Sequence, residues 1–290
     1  MNTNPVKANP KTDKTRVALV VGASSGIGAA TAQHLAAQGW IVYAAARRLE
    51  RLQQLGGGIF PLAMDVSDRP SVVTAISTVI NASGHIDALV NCAGGGSLGA
   101  LEMTPVADAR RMFEVNLFGL AEVMRQVIPH MRQRRQGHIV NVASIAGRIP
   151  FPLSSWYVAS KHAVVGLSAS AAFELNQFGI QIAVVEPGAI LTEFSDGLDA
   201  SPEAHASGPY AALQASMRNL ADDSYRKQGV PAKLIAVCIV KILNDPQPRL
   251  HYIEPLYAKR DILIGQLLPA RWFRRLVNWQ AGVQTNNGTS

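Results

Sequence analysis

Apolar residues along this chain fall into short β-branched runs separated by longer stretches of helical period. Seven runs read as buried strands: Arg16–Gly22, Trp40–Ala46, Ile59–Met64, Asp87–Asn91, His138–Ala143, Ile180–Glu186 and Leu250–Glu254. Between them, segments near 26–38, 69–82, 104–133, 155–177 and 231–243 read as helices. The strand runs are apolar almost continuously, which predicts a sheet covered on both faces and hence parallel βαβ units. An α/β fold is expected, a doubly wound parallel sheet of about seven strands with helices on both faces. Ligands of such sheets bind at the carboxyl ends of the strands, so the residues that follow each run carry the chemistry.

No repeat and no linker interrupts residues 16–258, so that stretch is expected to be a single domain. A polar tail at 1–15, a basic extension at 259–280 and a flexible tail at 281–290 flank it. Apolar residues make up 48% and charged residues 16% of the 290, which excludes a disordered chain. Cys92 and Cys238 are too few for a disulfide framework and point to the cytoplasm. The longest apolar run, Leu234–Val240, is fenced by Lys233 and Lys241 and is far short of a membrane span. Residues 1–15 hold no apolar block, so no secretory signal is expected.

The net charge of +7 belongs to the ends. Residues 1–16 hold four basic groups against one acid and residues 259–275 five against one, while 17–258 carry 18 of each. A fold that tracks a phosphate backbone would carry its excess on the body, so no nucleic-acid partner is expected. The histidines and cysteines show no metal-ligand spacing, so no metal site is expected either.

The first strand runs into Gly22-Ala23-Ser24-Ser25-Gly26-Ile27-Gly28 and then an Ala-rich helix. Gly22 allows a tight turn, Gly26 lets backbone approach a phosphate, and Gly28 lets the helix pack close on the strand. A glycine pattern alone is weak; its place between a strand and a helix makes it a dinucleotide cradle. The second strand ends in Arg47-Arg48 where a carboxylate would hold a ribose 2′-hydroxyl. Two guanidiniums there suit a 2′-phosphate, so NADP is expected in preference to NAD; the bland alternative is a solvated helix turn. Tyr157 and Lys161 stand four apart on one helix face, where an ammonium would favour the phenolate and lower the tyrosine pKa. Ser144 follows the fifth strand and Asn91-Cys92-Ala93-Gly94 the fourth.

This combination resembles the short-chain dehydrogenase/reductase family over nearly the whole of residues 15–255. The family's glycine motif matches Gly22 to Gly28, its adenine-side aspartate Asp65 beside Val66, and its helix asparagine Asn116. Its catalytic serine matches Ser144, its Tyr-x-x-x-Lys pair Tyr157 and Lys161, and its Pro-Gly turn Pro187 and Gly188, followed by Ile190 and Thr192. One position departs, Cys92 standing for the second asparagine of Asn-Asn-Ala-Gly. The resemblance implies a single-domain Rossmann-like fold and a cofactor site that includes Ser24, Ser25, Ile27, Asn91, Ala93 and Gly94 as well. It also implies hydride transfer between the nicotinamide and a carbonyl carbon. Tyr157 would move the proton, Lys161 lower its pKa and bind the ribose, Ser144 bond the carbonyl oxygen, and Asn116 hold a water in a proton relay.

A long stretch of low periodicity, about 193–230, is expected to be a substrate lid. Gly95, Ile145, Phe151, Leu153, Trp156, Phe194 and Tyr210 form the expected pocket, with Arg148 as its one cationic group. Such a pocket suits a hydrophobic ketone, aldehyde or alcohol, and the sequence looks closest to the hydroxysteroid- and retinol-dehydrogenase-like branch. A 3-oxoacyl-carrier-protein reductase is the second enzyme reading; a non-catalytic NADP-binding sensor or scaffold is the reading of another class. Within Ala270–Gln280, Trp272, Phe273, Leu276 and Val277 share one helical face, opposite Arg271, Arg274, Arg275 and Asn278. That face would pack on the fold or on a partner subunit, or lie on an anionic membrane. By resemblance a homodimer or homotetramer is expected, through the helices at 104–133 and 155–177.

Overall fold

The structure, a computed structural model, describes residues 15–193 and 208–281. Strand β1 (Val17–Val21) shows why the apolar runs are continuous. Val17, Leu19 and Val21 enter one apolar layer while Ala18 and Val20 enter the opposite one, and all five are buried. Both faces of the strand are therefore core, as a parallel sheet between two helical layers requires.

The other strands are β2 (Ile41–Ala46), β3 (Ile59–Ala63), β4 (Ala88–Asn91), β5 (Gly137–Val142), β6 (Ile180–Pro187) and β9 (His251–Glu254). They form one sheet of order β3-β2-β1-β4-β5-β6-β9, parallel at every pairing. Two short pieces, β7 (Ile190–Leu191) and β8 (Val230–Pro231), pair separately. The helices in chain order begin with α1 (Gly26–Ala37), α2 (Leu49–Gln53), α3 (Arg69–Ser83), α4 (Val106–Phe113) and α5 (Leu120–Arg134). They continue with α6 (Ser155–Asn176), α7 (Ala211–Gln228), α8 (Ala232–Asn244), α9 (Leu256–Leu267) and α10 (Ala270–Gln280). Helices α3, α5 and α6 supply one apolar layer, α1 and α8 the other. After β3 the chain crosses back to place β4 on the far side of β1, and a crevice opens where the winding reverses.

Four expectations need correction. The run Ile59–Met64 forms an edge strand rather than a buried one, and Phe60 on it is 50% exposed. The helix expected over 104–133 runs from Val106 to Arg134 but widens to a π-helical turn at Glu114–Gly119 between α4 and α5. Within the expected lid at 193–230 lies α7, a helix of 18 residues. Its sequence is rich in Ala, Gln and Arg, which favour a helix without marking an apolar stripe. The domain boundary expected at 258 falls inside α9.

Candidate active site

At the end of β1 the backbone takes φ +81° at Gly22 and φ +56° at Gly26, conformations that favour glycine. A Cβ on Gly22 would sit 2.4 Å from the Ala93 amide nitrogen, and one on Gly28 2.3 Å from the Gly22 carbonyl oxygen. The turn, the loop after β4 and the first turn of α1 thus touch backbone to backbone. No side chain caps α1 and no acid stands in its first turn, so its amides and positive dipole end are open toward the cleft. These residues fit a pyrophosphate.

At the end of β2, Arg47 and Arg48 line the same cleft. The Arg48 guanidinium donates to Ser24 Oγ at 3.1 Å and lies 3.8 Å from Glu193, which also pairs with Arg51. The Asp65 carboxylate accepts from the Ser67 amide at 2.9 Å and the Ser67 hydroxyl at 2.6 Å. The hydroxyl bond above all, with the Arg47 charge beside it, holds the Asp65 pKa below its ordinary value.

The π-helical turn presents Asn116, which is buried. Its Oδ1 accepts the Gly95 amide at 2.9 Å, and its Nδ2 donates to the Gly95 carbonyl at 2.9 Å and to Ser160 Oγ at 3.1 Å. Both amide hydrogens of the side chain are committed, so it staples the loop after β4. Lys161 Nζ donates to the Val142 carbonyl at 3.2 Å and lies 5.8 Å from the centre of the Tyr157 ring. The Tyr157 phenol is hydrogen-bonded to Ser144, whose Oγ also accepts the Ala146 amide at 3.1 Å.

Burial governs the protonation of this group. It pushes the Tyr157 phenol up to about 12, the Ser144 bond opposing, and brings the Lys161 ammonium down to about 8. Desolvation therefore sets the Tyr157 phenol above its ordinary value, with the Lys161 ammonium 5.8 Å from the ring centre. Burial also lifts the Cys92 thiol to about 12, with Lys161 opposing it.

One cleft of about 1640 Å³ joins these groups. It is lined by the glycine turn, Arg47, Arg48, Asp65, Val66, Ala93 and Gly94 at one end, and by Pro187, Gly188, Ile190 and Thr192 along one side. Ser144, Tyr157 and Lys161 lie in it, with Gly95, Ile145 and Phe151 beyond. Asn91 does not line it: that side chain is buried and donates to Asn141 Oδ1 at 2.9 Å. Leu153 and Trp156 stand behind the wall, Trp156 edge-on to Phe113 at 6.4 Å, and Tyr210 bonds Glu102 outside it. Phe194 lies outside the described residues. Arg148 is not a free anchor, because it grips buried Glu186 through Nε at 2.5 Å and Nη2 at 3.0 Å.

Much of the far wall was not foreseen. Met217, Leu220 and Tyr225 reach the cleft from α7, Ile264 from α9, and Phe273, Leu276 and Val277 from α10. The last three belong to the apolar face read from the sequence and form part of this wall, whereas Trp272, expected on the same face, does not line the cleft and is 48% exposed. Tyr257 of α9 accepts the Ala189 amide at 2.5 Å, pinning the turn after β6. The C-terminal extension is built into the site.

Residues 16–203 match the sequence model of the short chain dehydrogenase family. This chain belongs to that family. A curated relative from Bacteroides thetaiotaomicron named 3-ketodihydrosphingosine reductase is 34% identical over 84% of this dehydrogenase and 91% of its own length. Bovine retinol dehydrogenase 8 is 33% identical over 82% and 81%. A solved short-chain dehydrogenase from Streptomyces avermitilis superposes with a TM-score of 0.79 at 32% identity, covering 93% of this chain and 97% of that one. A Burkholderia cenocepacia member was solved with NADP, at 25% identity and a TM-score of 0.73, covering 91% and 98% of the two chains. A Burkholderia phymatum one of the same fold was solved with NAD, at 24% identity and 0.77, covering 96% and 98%. The dehydrogenase is an NAD(P)-dependent oxidoreductase, and among its described residues no helix is long and apolar enough to cross a membrane.

Proposed function

We propose that this enzyme reduces a hydrophobic ketone or aldehyde with NADPH, and oxidises the corresponding alcohol in reverse, with Tyr157 as the acid/base group. One observation carries the reading: a single cleft runs from an arginine-flanked glycine cradle, past Tyr157, Ser144 and Lys161, into an apolar chamber. Bound NADP(H) supplies or accepts the hydride at the carbonyl carbon. The glycine turn and α1 hold the pyrophosphate, Arg47 and Arg48 the 2′-phosphate, and Asp65 and Val66 the adenine side.

Tyr157 donates its phenolic proton to the carbonyl oxygen as negative charge develops there. The phenol, raised further by burial, carries that proton at neutral pH, which suits the reducing direction. Ser144, bonded to the phenol, is placed to donate to the same oxygen. Lys161 carries its ammonium 5.8 Å from the centre of the Tyr157 ring and would bind the ribose, while Asn116 fixes the loop at Gly95. Arg148 is neutralised by Glu186, and on the cleft wall Lys227 is paired with Asp223 and Arg260 with Asp261, so none of these three cations stands free for a carboxylate substrate. The names of the two curated relatives, one for 3-ketodihydrosphingosine and one for retinol, support a carbonyl or alcohol substrate.

Exposed Phe118 and Phe173, on the π turn and on α6, support a homodimer or homotetramer joined there. The free Cys92 and Cys238 support the cytoplasm. The test is a panel of ketones and aldehydes with NADPH and with NADH, followed by cofactor absorbance, on wild type and Tyr157→Phe. Reduction of apolar substrates with NADPH is expected, falling at least about a thousandfold in the variant while NADPH still binds. Full activity in Tyr157→Phe would overturn the reading.

A further inference from the structure

Helices α9 and α10 have an inner and an outer side. The inner side closes the cleft through Ile264, Phe273, Leu276 and Val277. On α9, Leu256, Leu263 and Leu267 are spaced at seven and four, so they share one helical stripe, and they are 74%, 56% and 73% exposed. On α10, Trp272 and Trp279 are seven apart on the stripe that also carries Leu276, so they flank the cleft-lining side at its rim, and they are 48% and 77% exposed. Isolated exposed leucines need no explanation, but two adjoining helices with five large apolar side chains in solvent do.

The charge around these stripes narrows the partner. Residues 256–280 carry Lys259, Arg260, Arg271, Arg274 and Arg275 against a single acid, Asp261, already bonded to Arg260 at 2.9 Å. The Arg271 and Arg275 guanidiniums lie 5.9 and 5.1 Å from the centre of the Trp272 ring. Pairing this face with a second copy would bring two cationic surfaces together, and exposed Phe118 and Phe173 lie on other helices. Tryptophan with flanking arginine and leucine is the composition of a helix in the plane of a lipid headgroup layer. Trp279 also lines the cleft, so the opening stands beside the exposed stripe.

We propose that the outer side of α9 and α10 docks on an anionic lipid bilayer, setting the mouth of the cleft against the membrane. The docking step stands on this surface alone. The delivery of membrane-dissolved, long-chain carbonyl compounds to the cleft rests in addition on the reductase reading.

Full-length protein, without cofactor or substrate, is pelleted with vesicles of phosphatidylcholine alone or mixed with phosphatidylglycerol. Pelleting with the mixed vesicles, little with the neutral ones, and a blue shift of tryptophan emission are expected. The variant Arg271→Gln/Arg274→Gln/Arg275→Gln touches no residue of the cleft, and should bind about a hundredfold more weakly with an unchanged thermal midpoint. Equal pelleting on both lipids, no pelleting, or full binding by the triple variant would overturn docking. So would a Trp272→Ser change that alters the sedimentation mass while wild type ignores both lipids, which assigns the face to a second copy. Turnover of a water-soluble ketone by the triple variant stays at the wild-type level, so loss of docking is told apart from failure of the reductase reading.

Discussion

Asn116 holds Gly95 by both of its backbone groups, accepting its amide and donating to its carbonyl at 2.9 Å each. A side chain that does this works as a strand partner for a loop that has none. Asn116→Leu keeps the size and removes every bond, so turnover should fall at least about tenfold and stability by about 2 kcal/mol. Steady-state kinetics and thermal unfolding measure the two effects. Unchanged activity would show that the loop after β4 holds its place without the staple.

Arg47 and Arg48 are expected to set cofactor choice. Replacing both by Ala should raise the KM for NADPH about ten- to a hundredfold and leave that for NADH nearly unchanged. Glu193 pairs with Arg48 and Arg51 at the solvent edge of the cleft. Glu193→Gln should lower the KM for NADPH about two- to fivefold, as an exposed pair contributes little. An NADH preference in wild type would reverse the assignment.

Lys161 carries a stability cost that depends on pH. Burial lowers it from 10.5 to about 8 in the folded chain. Below pH 8 both states hold the proton and the folded state bears the whole penalty. Between 8 and 10.5 the unfolded chain binds more protons, so stability from this group rises with pH until the penalty is gone. Lys161→Met should abolish turnover, stabilise the protein by up to about 3 kcal/mol at neutral pH, and flatten that rise. Denaturant unfolding on either side of the window checks it.

Arg148 grips both oxygens of the fully buried Glu186 carboxylate, and His251 Nδ1 lies 2.9 Å from Oε1, the oxygen that Arg148 Nη2 also bonds. Arg148→Met leaves that charge short of its main partner and should destabilise by about 3 kcal/mol. Arg148→Met with Glu186→Leu should recover most of the loss, which a double-mutant cycle by thermal unfolding would measure.

The central strands and the groups after them were legible because β1, β4, β5 and β6 are buried almost throughout, and their apolar runs stop where the cleft begins. The glycine turn and Ser144 fall at such stops, and Tyr157 and Lys161 lie on α6, the helix that follows β5. The π turn was not legible, since one extra residue in a helix hardly disturbs an apolar period over 104–133. Helix α7 was hidden because Gln214 is the one residue of it that is fully buried. The pairing of Arg51 with Glu193 joins positions 142 apart, beyond any local pattern. The spacing of Tyr157 and Lys161 gave their shared face but not their dryness, and dryness sets their pKa values.

The cleft is built by two separate stretches of chain. Its floor comes from residues between Val21 and Glu193, its roof from residues between Met217 and Gln280. In the proposed reading cofactor grip and proton transfer belong to the floor, while the roof adds apolar side chains together with Asp223, Lys227, Arg260 and Asp261. Roofs could therefore be exchanged between such enzymes as cassettes, with Glu193 as the natural splice point and the hydride chemistry carried along intact.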